Sequence, residues 1–120
     1  MKKSEKNTAS TLLSLSAEAR RDIKNIHDYI ADEKESPQTA LKVIEKILDR
    51  IEDVLRLPDS GTLLSAQVNF PTTYRYVRAA GYLIFYRRED NQIFVDRIIH
   101  GKRNCITILF PTSTIEEQEI

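Results

Sequence analysis

The sequence has no tryptophan, a single cysteine, a single methionine and only three glycines in 120 residues. Cys105 alone cannot form an internal disulfide, which excludes a disulfide-framed secreted scaffold and fits a reducing compartment. Together with two distant histidines, His27 and His100, it offers no metal-ligand spacing, so neither a metal nor another cofactor is expected. Three glycines leave no room for a glycine-rich phosphate loop. No nucleophile elbow or Cys–His arrangement is legible. Long apolar runs are also missing. No stretch is long enough to span a bilayer, and MKKSEKNTAS has no hydrophobic segment behind its lysines, so a cytoplasmic protein without membrane contact is expected.

Net charge is absent as well, with 18 basic against 18 acidic side chains. That zero is a sum of unlike parts. Residues 1–60 carry 11 basic and 12 acidic groups, whereas residues 61–110 carry seven basic and three acidic. The last ten residues hold three glutamates and no cation. The basic part is nearly all arginine, whose planar fork suits phosphate and carboxylate. Arg87 and Arg88 stand beside Glu89 and Asp90 in a turn, where local ion pairs account for them.

What is present reads as one globular domain. Apolar residues make up 41% and charged residues 30% of the chain, the ordinary balance of a soluble fold with one modest core. Residues 1–10 are patternless and are expected to be a flexible tail; residues 11–110 form the domain and 111–120 an acidic tail. TLLSL, residues 11–15, reads as a short strand. Ser16 caps a helix over about 17–34, with Glu18 in the first turn and Ala19, Ile23, Ile26 and Ile30 at helical spacing. Ser36 caps a second helix with Pro37 in its first position. Leu41, Ile44, Leu48, Ile51 and Leu55 mark its apolar stripe, widened by Ala40, Ile47 and Val54. It ends near Leu57, before PDSG. The short connection implies an antiparallel helical hairpin.

TLLSAQVNFPTT then reads as an irregular loop. TYRYVR, GYLIFYR and QIFVDRIIH form a three-stranded antiparallel meander joined by AAG and REDN. In the middle strand Leu83 and Phe85 share one face, and Tyr82, Ile84 and Tyr86 the other. One face takes the helical hairpin. The second, with its tyrosines and arginines, reads as amphipathic. CITILF is either a short strand or a helical turn. The fold class is α+β, order β-α-α-β-β-β, with the hairpin packed on a mainly antiparallel sheet of about four strands.

Chemistry concentrates in RIIHGKRN. Gly101 allows a sharp turn at the strand end, projecting His100, Lys102, Arg103 and Asn104 as an exposed rim. Arg97 lies on the opposite alternation. Arg75 and Arg78, from the first meander strand, either converge with the rim or face away. Cations beside a histidine that titrates near neutrality can hold a phosphodiester or assist its cleavage; the plain alternative is a basic loop docked on the protein's own acidic helices. His27 reads as a boundary residue, and Asp22, Asp28, Asp32 and Glu33 as solvated helix positions. Tyr74, Tyr76, Tyr82 and Tyr86 read first as cross-strand packing, with a base-stacking platform as the sharper reading.

LSAEARRDIKNIHDYI after a first strand, YRYVRAAGYLIFYRRED in the meander and VDRIIHGKRN at its close resemble the RelE/ParE superfamily of bacterial type II toxins. The resemblance spans residues 11–110. It implies the fold above, a bacterial cytosolic setting, a cognate antitoxin as partner, and contact with operator DNA through the antitoxin alone. The superfamily divides in activity. RelE-like members cleave messenger RNA on the ribosome; ParE-like members poison DNA gyrase. The nucleases commonly carry an arginine after the Gly-Tyr that opens the middle strand, where this chain has Leu83. They also carry a proton-transferring residue after the basic motif, where it has Ile108, Leu109 and Phe110. Arg103 matches their phosphate-binding arginine. His100, Arg103 and Asn104 resemble the His-x-x-Arg-Asp-like ending of ParE-like chains, with Asn in place of the acid. A ParE-like gyrase poison, not an enzyme, is therefore favoured. Its target-binding residues would be Arg75, Arg78, Arg97, His100, Lys102, Arg103 and Asn104. The alternative is a ribosome-dependent endoribonuclease with His100 and Arg103 as catalytic residues.

Overall fold

The first strand of the chain lies parallel to its last, and the remaining strands meander away from that pair. The computed structural model describes residues 12–111; the expected tails, apart from Pro111, lie outside them. β1 (Leu12–Leu15) leads into α1 (Ala17–Glu33) and α2 (Pro37–Arg56). A two-residue strand β2 (Thr62–Leu63) and a 3₁₀ turn (Leu64–Ala66) follow. The meander is β3 (Arg75–Ala79), β4 (Tyr82–Glu89) and β5 (Gln92–His100), and α3 (Cys105–Leu109) closes the described chain. The sheet has five strands in the order β1-β5-β4-β3-β2. β1 pairs with β5 in parallel and every other pair is antiparallel. The fifth strand is β2, inside the segment expected to be an irregular loop; it pairs Thr62 with Tyr76 and Leu63 with Arg75.

The helix boundaries follow their caps. Ser16 Oγ accepts from Ala19 N at 2.9 Å, and Ser36 Oγ from Thr39 N at 3.3 Å with Pro37 in the first turn. Ser16 also donates to the Asp96 carbonyl at 2.7 Å, so the cap that starts α1 ties it to β5. The hairpin covers one sheet face. Ala19, Ile26 and Ile30 from α1 and Ala40, Ile47, Ile51 and Val54 from α2 pack on Val77, Ile84, Tyr86, Ile93, Val95 and Ile98. The centre of the α2 stripe is therefore displaced from the expected one. Leu41 and Leu48 are 56% and 43% exposed, and the residues expected to widen the stripe are its buried core.

The second sheet face is amphipathic, as expected, and part of it is covered. CITILF is helical, and α3 lies over that face. Leu64, Phe85 and Ile99 form a second apolar cluster, with Tyr76, Leu83, Cys105, Ile106, Ile108, Leu109 and Phe110 packed around it. Phe110 makes edge contacts with Phe70 (5.0 Å) and Tyr74 (5.9 Å), pinning the end of α3 to the loop before β3. The rest of this face is polar: Arg87 stacks over Phe94 at 4.5 Å, and Asp96 joins Arg87 and Tyr74.

Candidate functional site

β5 outruns β1. The parallel ladder ends at Leu15 and Val95, so β5 beyond Asp96 lacks a strand neighbour on that side among the described residues. Backbone groups along such an edge still need partners. α1 supplies one. Asp22 accepts from the Ile98 N–H at 2.8 Å, and from Arg97 Nε at 2.8 Å and Nη2 at 3.0 Å. Only 12% of the Asp22 side chain is exposed. Asp22 is thus a tie between helix and strand, not the solvated residue the sequence suggested. The bidentate hydrogen bonding to Asp22 raises the pKa of the Arg97 guanidinium.

Where α1 leans away from the end of β5, an open cleft of about 450 Å³ forms. Asp22, Asn25, Ile26 and Tyr29 line it from α1, at spacings of three, four and seven residues along one helix face. Tyr82 comes from β4, and Ile98, Ile99, His100, Lys102 and Arg103 complete it. The Tyr82 and His100 rings meet edge to face at 5.1 Å. Burial, and the neighbouring Tyr29 phenol, push the Tyr82 hydroxyl above its ordinary pKa. The Lys102 N–H donates to His100 Nδ1 at 3.1 Å. That bond requires Nδ1 unprotonated, so the neutral ring carries its proton on Nε2. His100 is consequently half-buried rather than fully exposed, whereas Lys102, Arg103 and Asn104 are exposed as expected.

The chain turns at Gly101 as expected, without a left-handed residue there. The facing β3–β4 hairpin does hold left-handed residues, Ala80 (φ 53°) and Gly81 (φ 89°). Gly101 N donates to the Gly81 carbonyl at 3.0 Å, and Arg103 N to the His100 carbonyl at 3.0 Å. The hairpin tip thus buttresses the end of β5. Asn104 accepts from Thr107 N at 3.3 Å and caps α3.

The seven arginine, histidine, lysine and asparagine candidates are therefore dispersed. His100, Lys102 and Arg103 share the cleft. Arg97 reaches past the sheet edge to Asp22. Arg75 donates to the carbonyls of Asp59 (3.1 Å) and Gly61 (2.9 Å), holding the α2–β2 connection. Arg78 lies on the second face with its guanidinium 5.9 Å from the Tyr76 ring. Burial pushes the Cys105 thiol up, and Arg103 and Arg78 pull it back, which puts both arginines near α3's first residue. Asn25, Tyr29 and Tyr82 belong to the cleft without having been singled out for it. Their signal in the sequence was the helical spacing from Asp22 to Tyr29. No cluster of metal-ligating side chains occurs among the described residues, and none of their helices is long and apolar enough to cross a membrane.

The sequence matches the family model of the ParE toxin of the type II toxin–antitoxin system parDE over residues 13–105. No curated protein sequence matches it. Its fold is similar to a solved structure of the chromosomal ParDE TA system from P. aeruginosa, with a TM-score of 0.62 at 19% identity, over 76% of this chain and 96% of that one.

Proposed function

Because this chain belongs to the family of ParE toxins of type II toxin–antitoxin systems, we propose that it arrests bacterial growth by poisoning DNA gyrase in the cytoplasm until a cognate antitoxin masks it. The exposed Lys102 and Arg103 at the cleft rim are the target-binding groups, with His100 and Asn104 shaping the turn that presents them. Clustered exposed arginine is common at protein interfaces. The observation that carries the choice of target is that apolar residues stand in the two regions where ribonucleases of the superfamily keep polar groups, at Leu83 and at residues 108–110. Leu83, Ile108, Leu109 and Phe110 are packed around Phe85 and Ile99. None of these side chains carries a proton that it could move.

One observation favours the second reading: the His100 ring stands in the same cleft as Arg103 with Nε2 free of the Lys102 contact. The two readings separate in one experiment. Purified protein is added to gyrase with relaxed plasmid, and to programmed ribosomes with messenger RNA. Loss of supercoiling with accumulation of cleaved DNA is expected, and intact messenger RNA. Ribosome-dependent cleavage at defined codon positions would overturn the assignment and make His100 and Arg103 catalytic residues.

A further inference from the structure

The cover over the second sheet face has a gap. Between the 3₁₀ turn and α3 a furrow of about 170 Å³ stays open. Leu64 and Gln67 line it from the turn, Cys105 and Ile106 from α3, and Tyr76 and Leu83 from the sheet beneath. None of its lining side chains is charged, and Leu83, Cys105 and Ile106 are only half-buried. An apolar cavity of roughly 150 Å³ holds a benzene ring, so the furrow has room for one large apolar side chain.

Charge stands beside the furrow rather than in it. Arg78 is the direct ladder partner of Leu83, and such partners share a sheet face with Cβ atoms about 5 Å apart. The Arg78 guanidinium lies 5.9 Å from the Tyr76 ring. On the α3 side, burial raises the Cys105 thiol pKa, and the charges that act against it are Arg103 and Arg78. Neither arginine makes an ion pair among the described residues. An uncharged apolar furrow with unmatched positive charge at its margin selects its occupant. A phosphate backbone could use the cations but has no aliphatic group for the floor. The Tyr76 ring already packs on Phe85 at 5.8 Å and beneath Arg78, so a stacked base would compete with both. A protein segment supplies both needs: an aliphatic side chain for the furrow, and carboxylates that suit a guanidinium fork.

We propose that this furrow docks a partner protein's segment carrying one large aliphatic side chain flanked by carboxylates, with Arg78 as the charge contact. The proposal goes beyond the cleft-rim reading and is tested apart from it, because the furrow lies on the other face of the sheet. Cys105 is the single cysteine of the chain, so its alkylation by iodoacetamide in the full chain reports occupancy of the furrow. The probe is an acetylated, amidated peptide of one leucine between two pairs of glutamates. A version with glycine for leucine, a version with glutamine for glutamate and a single-stranded oligonucleotide accompany it. The first peptide should slow alkylation saturably, and the two altered peptides should protect about fivefold more weakly. Arg78→Gln, referred to its own peptide-free rate, should weaken protection about fivefold with melting temperature unchanged. Lys42→Gln, an exposed cation on α2, should change it by less than about twofold. No protection at millimolar peptide, or equal protection by the glutamine version, would overturn the proposal. So would an equal loss in Lys42→Gln, which would mean diffuse attraction. Protection by the oligonucleotide and not the peptide would make the furrow a nucleic-acid site instead. A peptide-free rate that falls with protein concentration would make a second copy the occupant. One that rises when Glu116, Glu117 and Glu119 are changed to glutamine would make it the chain's own C-terminal segment. Either result would overturn the partner.

Discussion

Asp22 shows what a single carboxylate does when it takes the place of a missing strand. Its three accepted bonds fix Arg97, the β5 edge and the wall of the cleft together. Asp22→Ala strands a mostly buried guanidinium and an edge amide, and should cost about 2–3 kcal/mol in urea unfolding. Arg103→Ala removes an exposed side chain, so stability should change by about 0.5 kcal/mol or less while growth arrest is relieved; thermal melts and growth after induction check both. If it unfolds the protein, Arg103 is structural and the target-binding role fails. Tyr74 supplies a pH signature. Burial first, and then its 2.7 Å bond to the Asp96 carboxylate, push its hydroxyl up to about 12. A folded pKa above the ordinary 10.0 means that the stabilisation is complete below pH 10 and is lost as pH rises toward 12. Tyr74→Phe should flatten that alkaline limb in melts taken across the window. The rim residues were legible in the sequence because a strand ending in His-Gly-Lys-Arg is a local pattern. Asp22 was not, because nothing local distinguishes it from Asp28 or Asp32; its partner lies 75 residues away.

At the scale of elements, what was legible had local causes. Ser16, Ser36 and Pro37 declare helix starts through their own side chains, and both helices begin there. β2 escaped notice because two residues carry no periodicity and exist as a strand only through pairing with β3. The face covered by α3 escaped for a similar reason: CITILF is apolar in either conformation, and only the cluster around Phe85 and Ile99 decides it. The α2–β2 connection is held by the Tyr86 hydroxyl, which donates to the Pro58 carbonyl at 2.9 Å and accepts from Gly61 N. A Cβ at Gly61 would collide with that hydroxyl and crowd the Tyr76 carbonyl. Gly61→Ala should therefore destabilise by about 1–3 kcal/mol, the range for overpacking a tight site, as read by denaturant midpoint. Ala80→Asn should act in the other direction. Ala80 occupies the left-handed region in a two-residue hairpin, where asparagine is better tolerated, and a gain of about 0.5–1 kcal/mol is expected.

On the scale of the whole molecule, the apolar surface is more than the fold uses. Leu12 and Leu13 on the outer strand are 61% and 41% exposed, and Leu41 and Leu48 stand two helical turns apart on the outside of the hairpin. Such surface marks an interaction site, and the proposed antitoxin is its occupant. A partner that binds the native state alone stabilises it by about 2.7 kcal/mol at a hundredfold excess over Kd. Melting temperature should accordingly rise by roughly 10 °C with saturating antitoxin; no rise would remove antitoxin binding from the reading. The parallel β1–β5 pair has a further consequence, in time rather than space. Leu15 meets Val95, and Ser16 reaches Asp96, across 80 residues of chain. During synthesis the hairpin can form early, but the strand that organises both the main core and the cleft emerges long after β1. Long-range pairing of this kind is slow because loop closure must precede its reward. Until then β1 is an unpaired apolar edge, open to wrong partners. The nascent chain therefore carries no assembled cleft until β5 has been made, some 80 residues after β1.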